Sequence, residues 1–142
     1  MDPTNYILIV EDVLDERDAV RLILEIEGYH VIAVASGEEA LDYMRRGELP
    51  RMILLDLKMH GTNGWEFRTA QLADPRLAAV PVVVCSGDGR LDEKADALAI
   101  ADELPKPIDR RALLRLVARH YDNSAERYSQ RKEAAGEPSA ER

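Results

Sequence analysis

Five short apolar runs recur along the chain, each followed by a stretch in which apolar residues return near the helical period. The runs are Tyr6–Val10, His30–Ala35, Met52–Leu55, Pro81–Cys85 and the shorter Asp102–Pro105. Ile53, Leu54 and Leu55 follow one another without alternation, the pattern of a strand covered on both faces of a parallel sheet. Between the runs, Leu14–Glu27 reads as a helix with Ala19, Val20, Ile23, Leu24 and Ile26 as its apolar stripe, stopped by Gly28. Ser36 with Glu39 three positions on forms a capping box that opens a second helix, running to about Arg46 and closed by Gly47 and Pro50. Further helices are predicted from about Trp65 to Leu72, stopped by Asp74-Pro75, and from about Leu91 to Ile100. A last one, capped by Asp109, runs to about His120 with Ala112, Leu113, Leu116 and Val117 toward the core.

Strand and helix thus alternate five times. That order predicts an α/β fold, a doubly wound parallel sheet of five strands with helices on both faces. Right-handed crossovers reduce the plausible topologies to a few. Residues 1–121 hold all of these elements. Residues 122–142 are polar and charged with almost no large aliphatic side chain, and are expected to form a flexible tail whose centre is transiently helical.

The strand ends carry the chemistry. Tyr6–Val10 runs into Glu11 and Asp12, Met52–Leu55 into Asp56, Pro81–Cys85 into Ser86, and the last run into Lys106. In open α/β sheets ligands bind at the carboxyl ends of the strands. Parallel strands would therefore gather three carboxylates, a hydroxyl and an ammonium on one edge. Three negative charges in one small pocket repel one another unless a cation sits among them, and a hard divalent ion such as Mg²⁺ suits carboxylate, water and phosphate oxygens. Lys106 and Ser86 suit phosphoryl oxygens as charge develops in transfer, leaving one carboxylate as nucleophile.

Composition narrows the field further. The 142 residues carry a net charge of -8, which argues against direct binding to nucleic acid or anionic membranes. The single cysteine, Cys85, excludes an internal disulfide and reads as a small core residue. No apolar run approaches membrane-spanning length and the first residues lack a signal-peptide pattern, so a cytoplasmic protein is expected.

This ordered set resembles the response regulator receiver domain, the phosphoacceptor module of two-component signalling, over roughly residues 5 to 121. The resemblance implies a flavodoxin-like sheet in the order 2-1-3-4-5. Glu11 and Asp12 match the family's acidic metal-binding pair, Asp56 its phosphorylated aspartate, and the backbone carbonyl of Lys58 its third protein ligand to Mg²⁺. Ser86 matches the switch hydroxyl, and Lys106 the site lysine, whose bond to the following proline, here Pro107, is commonly cis. Met59 and Gly64 fall at the family's spacing after the phosphoacceptor, and Lys58 and Asp88 at the positions that tune access of water.

Two residues depart from the pattern. His60 stands where the family usually has proline, and Glu103 where it has the aromatic that swings inward on phosphorylation. Burying an unpaired carboxylate is costly, so the usual coupling of hydroxyl to aromatic is not expected here. Other candidates have plainer readings. His60 reads as a solvated loop side chain, His30 and His120 lack a partner constellation in the sequence, and Trp65 reads as packing. Arg110, Arg111, Arg115 and Arg119 read as a solvated face, although the family often uses that helix for partner binding or homodimerisation.

The leading expectation is a stand-alone receiver that takes a phosphoryl group from a histidine kinase or histidine phosphotransfer protein onto Asp56, with Mg²⁺, and signals through a downstream protein target. It would catalyse its own phosphorylation and slow hydrolysis without acting as an enzyme on an external substrate. The alternative, motivated by Glu103, is an interaction module acting partly independently of phosphorylation. A phosphohydrolase of the haloacid dehalogenase type needs an aspartate two residues after the nucleophile, where this chain has Lys58. No GxxxxGK[ST] loop is present.

Overall fold

The computed structural model describes residues 5–59, 63–86 and 97–134, with only the backbone path for Ser86 and for 123–134. Five strands form one parallel sheet: β1 (Ile7–Val10), β2 (Val31–Val34), β3 (Met52–Asp56), β4 (Val82–Ser86) and β5 (Asp102–Pro105). Their order is β2-β1-β3-β4-β5, as the resemblance implied. The described helices are α1 (Leu14–Ile26), α2 (Gly37–Arg46), α3 (Gly64–Ala73) and α4 (Arg110–Ala134). The helix expected over about Leu91 to Ile100 lies mostly outside the described residues.

Successive strand residues face opposite sides of the sheet, and both sides are buried. Leu8, Val10, Ile53, Leu55, Val82 and Val84 pack with Ala40, Met44 and Phe67 on the side of α2 and α3. Ile7, Ile9, Met52, Leu54, Val83 and Cys85 pack with Leu24, Leu113 and Val117 on the side of α1 and α4. This double burial is why the strands read as unbroken apolar runs. Cys85 is buried as expected, and burial pushes its thiol up to about 12.

The local signals act as anticipated at α2, where Ser36 Oγ accepts from the Glu39 N–H at 3.1 Å. A second capping box was not anticipated. Asn63 Oδ1 accepts from the Glu66 N–H at 2.9 Å, and the Asn63 N–H donates to Glu66 Oε1 at 3.2 Å, opening α3. Gly28 ends α1 with a positive φ of 97°, a conformation that favours glycine.

Two expectations are corrected. Ala19 and Ile26 do not face the core; Ile26 is 66% exposed, because the stripe that meets the sheet is Val20, Ile23 and Leu24, and Ile26 lies past its edge. The last helix, expected to end at about His120, continues to Ala134, through the stretch whose centre was expected to be transiently helical. The polar composition of that stretch argues against a packed core but not against helix, since its Ala, Glu, Arg and Lys residues have high helix propensity. The inner face of α3 buries two polar side chains, Arg68 and Gln71. Among the described residues, no helix is long and apolar enough to cross a membrane.

Candidate functional site

The parallel register sets the geometry. Val10 pairs with Leu55, Asp56 with Cys85, and Ser86 with Pro105. Consequently the residues that end or follow β1, β3, β4 and β5 share the carboxyl edge of the sheet. Glu11 and Asp56 are buried there. Glu11, Asp12 and Asp56 each offer a carboxylate oxygen, and these atoms lie within 4.8 Å of one another.

Lys106 reaches into the same pocket. Its Nζ lies 3.2 Å from Asp56 Oδ1 and 3.2 Å from Glu11 Oε1. It also lies 2.9 Å from Glu16 Oε1, in the first turn of α1. Burial disfavours the ammonium, but the hydrogen bond to Glu16, the charge of Asp56 and the contact with Glu11 outweigh it and hold Lys106 above its ordinary value. The Lys106-Pro107 peptide bond is cis.

The acidic loop is fixed from its own side as well. Val13 N–H donates to Glu11 Oε2 at 3.1 Å, and Arg17 Nη1 donates to the Glu11 carbonyl at 2.9 Å. Burial pushes the Glu11 carboxyl up to about 7; the Asp56 charge adds to the rise, while the Val13 N–H and Lys106 oppose it. Just past the end of β3, the Lys58 N–H donates to Asp56 Oδ1 at 3.3 Å. The Gly64 N–H donates to the Leu57 carbonyl at 3.1 Å. A Cβ on Gly64 would stand 2.8 Å from Leu57 Cα and 2.9 Å from the Asp56 carbonyl oxygen. The start of α3 therefore closes on the end of β3 because residue 64 has no side chain.

Arg17 and Glu16 carried no signal in the sequence beyond their charge one turn after the acidic pair. The structure brings together Glu11, Asp12, Asp56 and Lys106. Ser86 ends β4 beside them by register, with its side chain outside the described residues, as are His60 and Asp88. Glu103 is exposed on β5. His120, expected to lack a partner, has Nε2 3.2 Å from Asp102 Oδ2, which Arg119 Nη1 also approaches at 3.3 Å. His30 is exposed, and Trp65 packs against the core.

The donor set fits a hard dication: three carboxylates supply only oxygen ligands, and the burial that drives Glu11 toward protonation would be offset by a cation.

Comparison with known proteins agrees with this geometry. Residues 7–118 match the response regulator receiver domain family. An uncharacterized 14.6 kDa protein of Leptolyngbya boryana is 33% identical over 80% of this chain and 88% of its own. The response regulator protein FleR of Pseudomonas aeruginosa is 35% identical over 80% of this chain, which spans only 24% of FleR. Among solved structures, the chemotaxis protein CheY4 of Vibrio cholerae shares the fold at a TM-score of 0.76, with 24% identity, 82% of this chain and 98% of CheY4 covered.

Proposed function

The chain belongs to the response regulator receiver domain family, and from that premise we propose that it accepts a phosphoryl group on Asp56 from a phosphohistidine on a histidine kinase or phosphotransfer protein. The observation that carries this reading is the position of Lys106 Nζ, 3.2 Å from Asp56 Oδ1 and 3.2 Å from Glu11 Oε1, beside a triad of carboxylates.

An Asp56 oxygen attacks phosphorus, an O–P bond forms, and the N–P bond breaks with its electron pair returning to the imidazole of the partner. Glu11, Asp12, Asp56 and the carbonyl of Lys58 would hold Mg²⁺, which supplies positive charge to offset the phosphoryl oxygens. Lys106 donates N–H groups to the oxygens that gain charge, and the Ser86 hydroxyl donates to another. Val13 N–H and Arg17 keep the acidic loop in place, so little reorganisation accompanies the transfer. Lys58 and Asp88 would flank the path of the hydrolytic water.

Output passes to a downstream protein target. With Glu103 exposed rather than an aromatic turned inward, the signal does not run through the usual aromatic. The basic residues of α4 near β5, among them Arg119, which pairs with Asp102, are the surface best suited to contact a target.

The test is intact-mass spectrometry after incubation with acetyl phosphate and Mg²⁺. Wild type is expected to gain one phosphate and Asp56→Asn none. A wild-type mass that stays unmodified would overturn the assignment.

A further inference from the structure

The Lys106 ammonium has three N–H groups and meets three carboxylates. Two are buried: Asp56 Oδ1 and Glu11 Oε1, each at 3.2 Å. The third, Glu16 Oε1, is the nearest at 2.9 Å, and its side chain is half exposed. It comes from α1 rather than from a strand end, and nothing in the transfer chemistry described above requires it. Glu11 and Glu16 each accept a hydrogen bond from the ammonium and Asp56 attracts it as an ion pair, so a phosphoryl oxygen arriving at Asp56 competes with these contacts for Lys106.

Which contact yields follows from the surroundings. Glu11 is also bonded to the Val13 N–H and shares the acidic triad with Asp12 and Asp56. Asp56 is the acceptor itself and cannot leave. Glu16 has water available on its exposed side, so its contact with the ammonium is the one that yields. Resting on the phosphoacceptor reading of Asp56, we propose that Glu16 is a positioning residue that competes with the incoming phosphoryl group for the Lys106 ammonium and so slows phosphorylation. In the step concerned, an Asp56 oxygen forms the new O–P bond while the donor's bond to phosphorus breaks. With acetyl phosphate, acetate departs with the electron pair.

The experiment measures the rate of phosphate uptake from acetyl phosphate by intact mass in wild type, Glu16→Gln, Glu16→Asp, Lys106→Met and the Glu16→Gln/Lys106→Met double variant. Calorimetry follows Mg²⁺ binding in parallel. Glu16→Gln is expected to be phosphorylated about threefold faster, the size of effect an exposed ion pair can exert, with Mg²⁺ affinity within about twofold of wild type. Glu16→Asp keeps the charge but is one methylene short of Lys106, and is expected to match Glu16→Gln. In the Lys106→Met background the substitution is expected to have no effect. Three outcomes would each overturn the proposal while leaving Asp56 as phosphoacceptor: an unchanged or slower Glu16→Gln, a Glu16→Asp that behaves as wild type, or an acceleration that persists without Lys106. If wild type takes up no phosphate, the inference and the reading beneath it both fall.

Discussion

Lys106 Nζ and Glu11 Oε1 meet at 3.2 Å although 95 positions separate them in the chain. The contact crosses the sheet edge from the end of β5 to the end of β1, over the strands that lie between. It ties the two halves of the fold together at the point where a phosphoryl group would enter. It also leaves Glu11 as a buried carboxyl whose charge depends on what shares its pocket.

Burial raises the Glu11 carboxyl from its ordinary 4.5 to about 7. Between these values the folded protein binds more protons than the unfolded chain, so stability without metal falls as pH rises from about 4.5 to about 7, by at most about 1.4 kcal/mol per unit. Mg²⁺ requires the ionised carboxylates, so its affinity should climb through the same interval. Urea unfolding without Mg²⁺, paired with calorimetric Mg²⁺ titrations at pH 5, 6, 7 and 8 (about one-unit steps across that window), should show the two trends running in opposite directions. Glu11→Gln should flatten the first.

Gly64→Ala should place a methyl against backbone atoms of Leu57 and Asp56 at 2.8 and 2.9 Å. Because backbone cannot rotate aside, the start of α3 must shift, at a cost of about 1–3 kcal/mol. The same shift moves the peptide unit that carries Asp56, so the variant should also take up phosphate more slowly than wild type. Denaturant midpoints together with intact-mass time courses check both parts. Unchanged values in each would mean the approach of α3 to β3 is looser than these distances imply.

Arg68 is buried on α3, and burial pushes its guanidinium below the ordinary value. It donates to the carbonyls of Leu98 and Ala99 at 2.9 and 3.0 Å and to Gln71 Oε1 at 2.8 Å. Gln71 in turn donates to the carbonyls of Leu77 and Val80, both at 3.0 Å. Arg68→Met keeps much of the volume but strips donors from these carbonyls, and should destabilise the fold by roughly 2–4 kcal/mol. Hydrogen exchange should show lost protection concentrated at residues 98–101. A midpoint equal to wild type would mean water replaces the guanidinium at little cost.

The fold was legible in the sequence because strands buried on both faces must be apolar at every position, and their alternation with helical stripes leaves few topologies. The runs ending in Asp56 and in the Glu11-Asp12 pair, with Lys106 after the last of them, were enough to gather the pocket, since parallel register brings strand ends together whatever the loops do. What the sequence could not decide is how each helix is rotated and how far each long side chain reaches. Ile26 belonged to an apolar stripe by spacing but faces water, and Arg68, which no sequence signal singled out, is buried and donates to carbonyls of residues 98 and 99. Glu16 was one acid among many until α1 settled against the sheet and set its carboxylate 2.9 Å from Lys106. Periodicity and strand-end chemistry are local and survive in a linear reading; contacts between distant polar side chains depend on packing, which only the folded chain supplies.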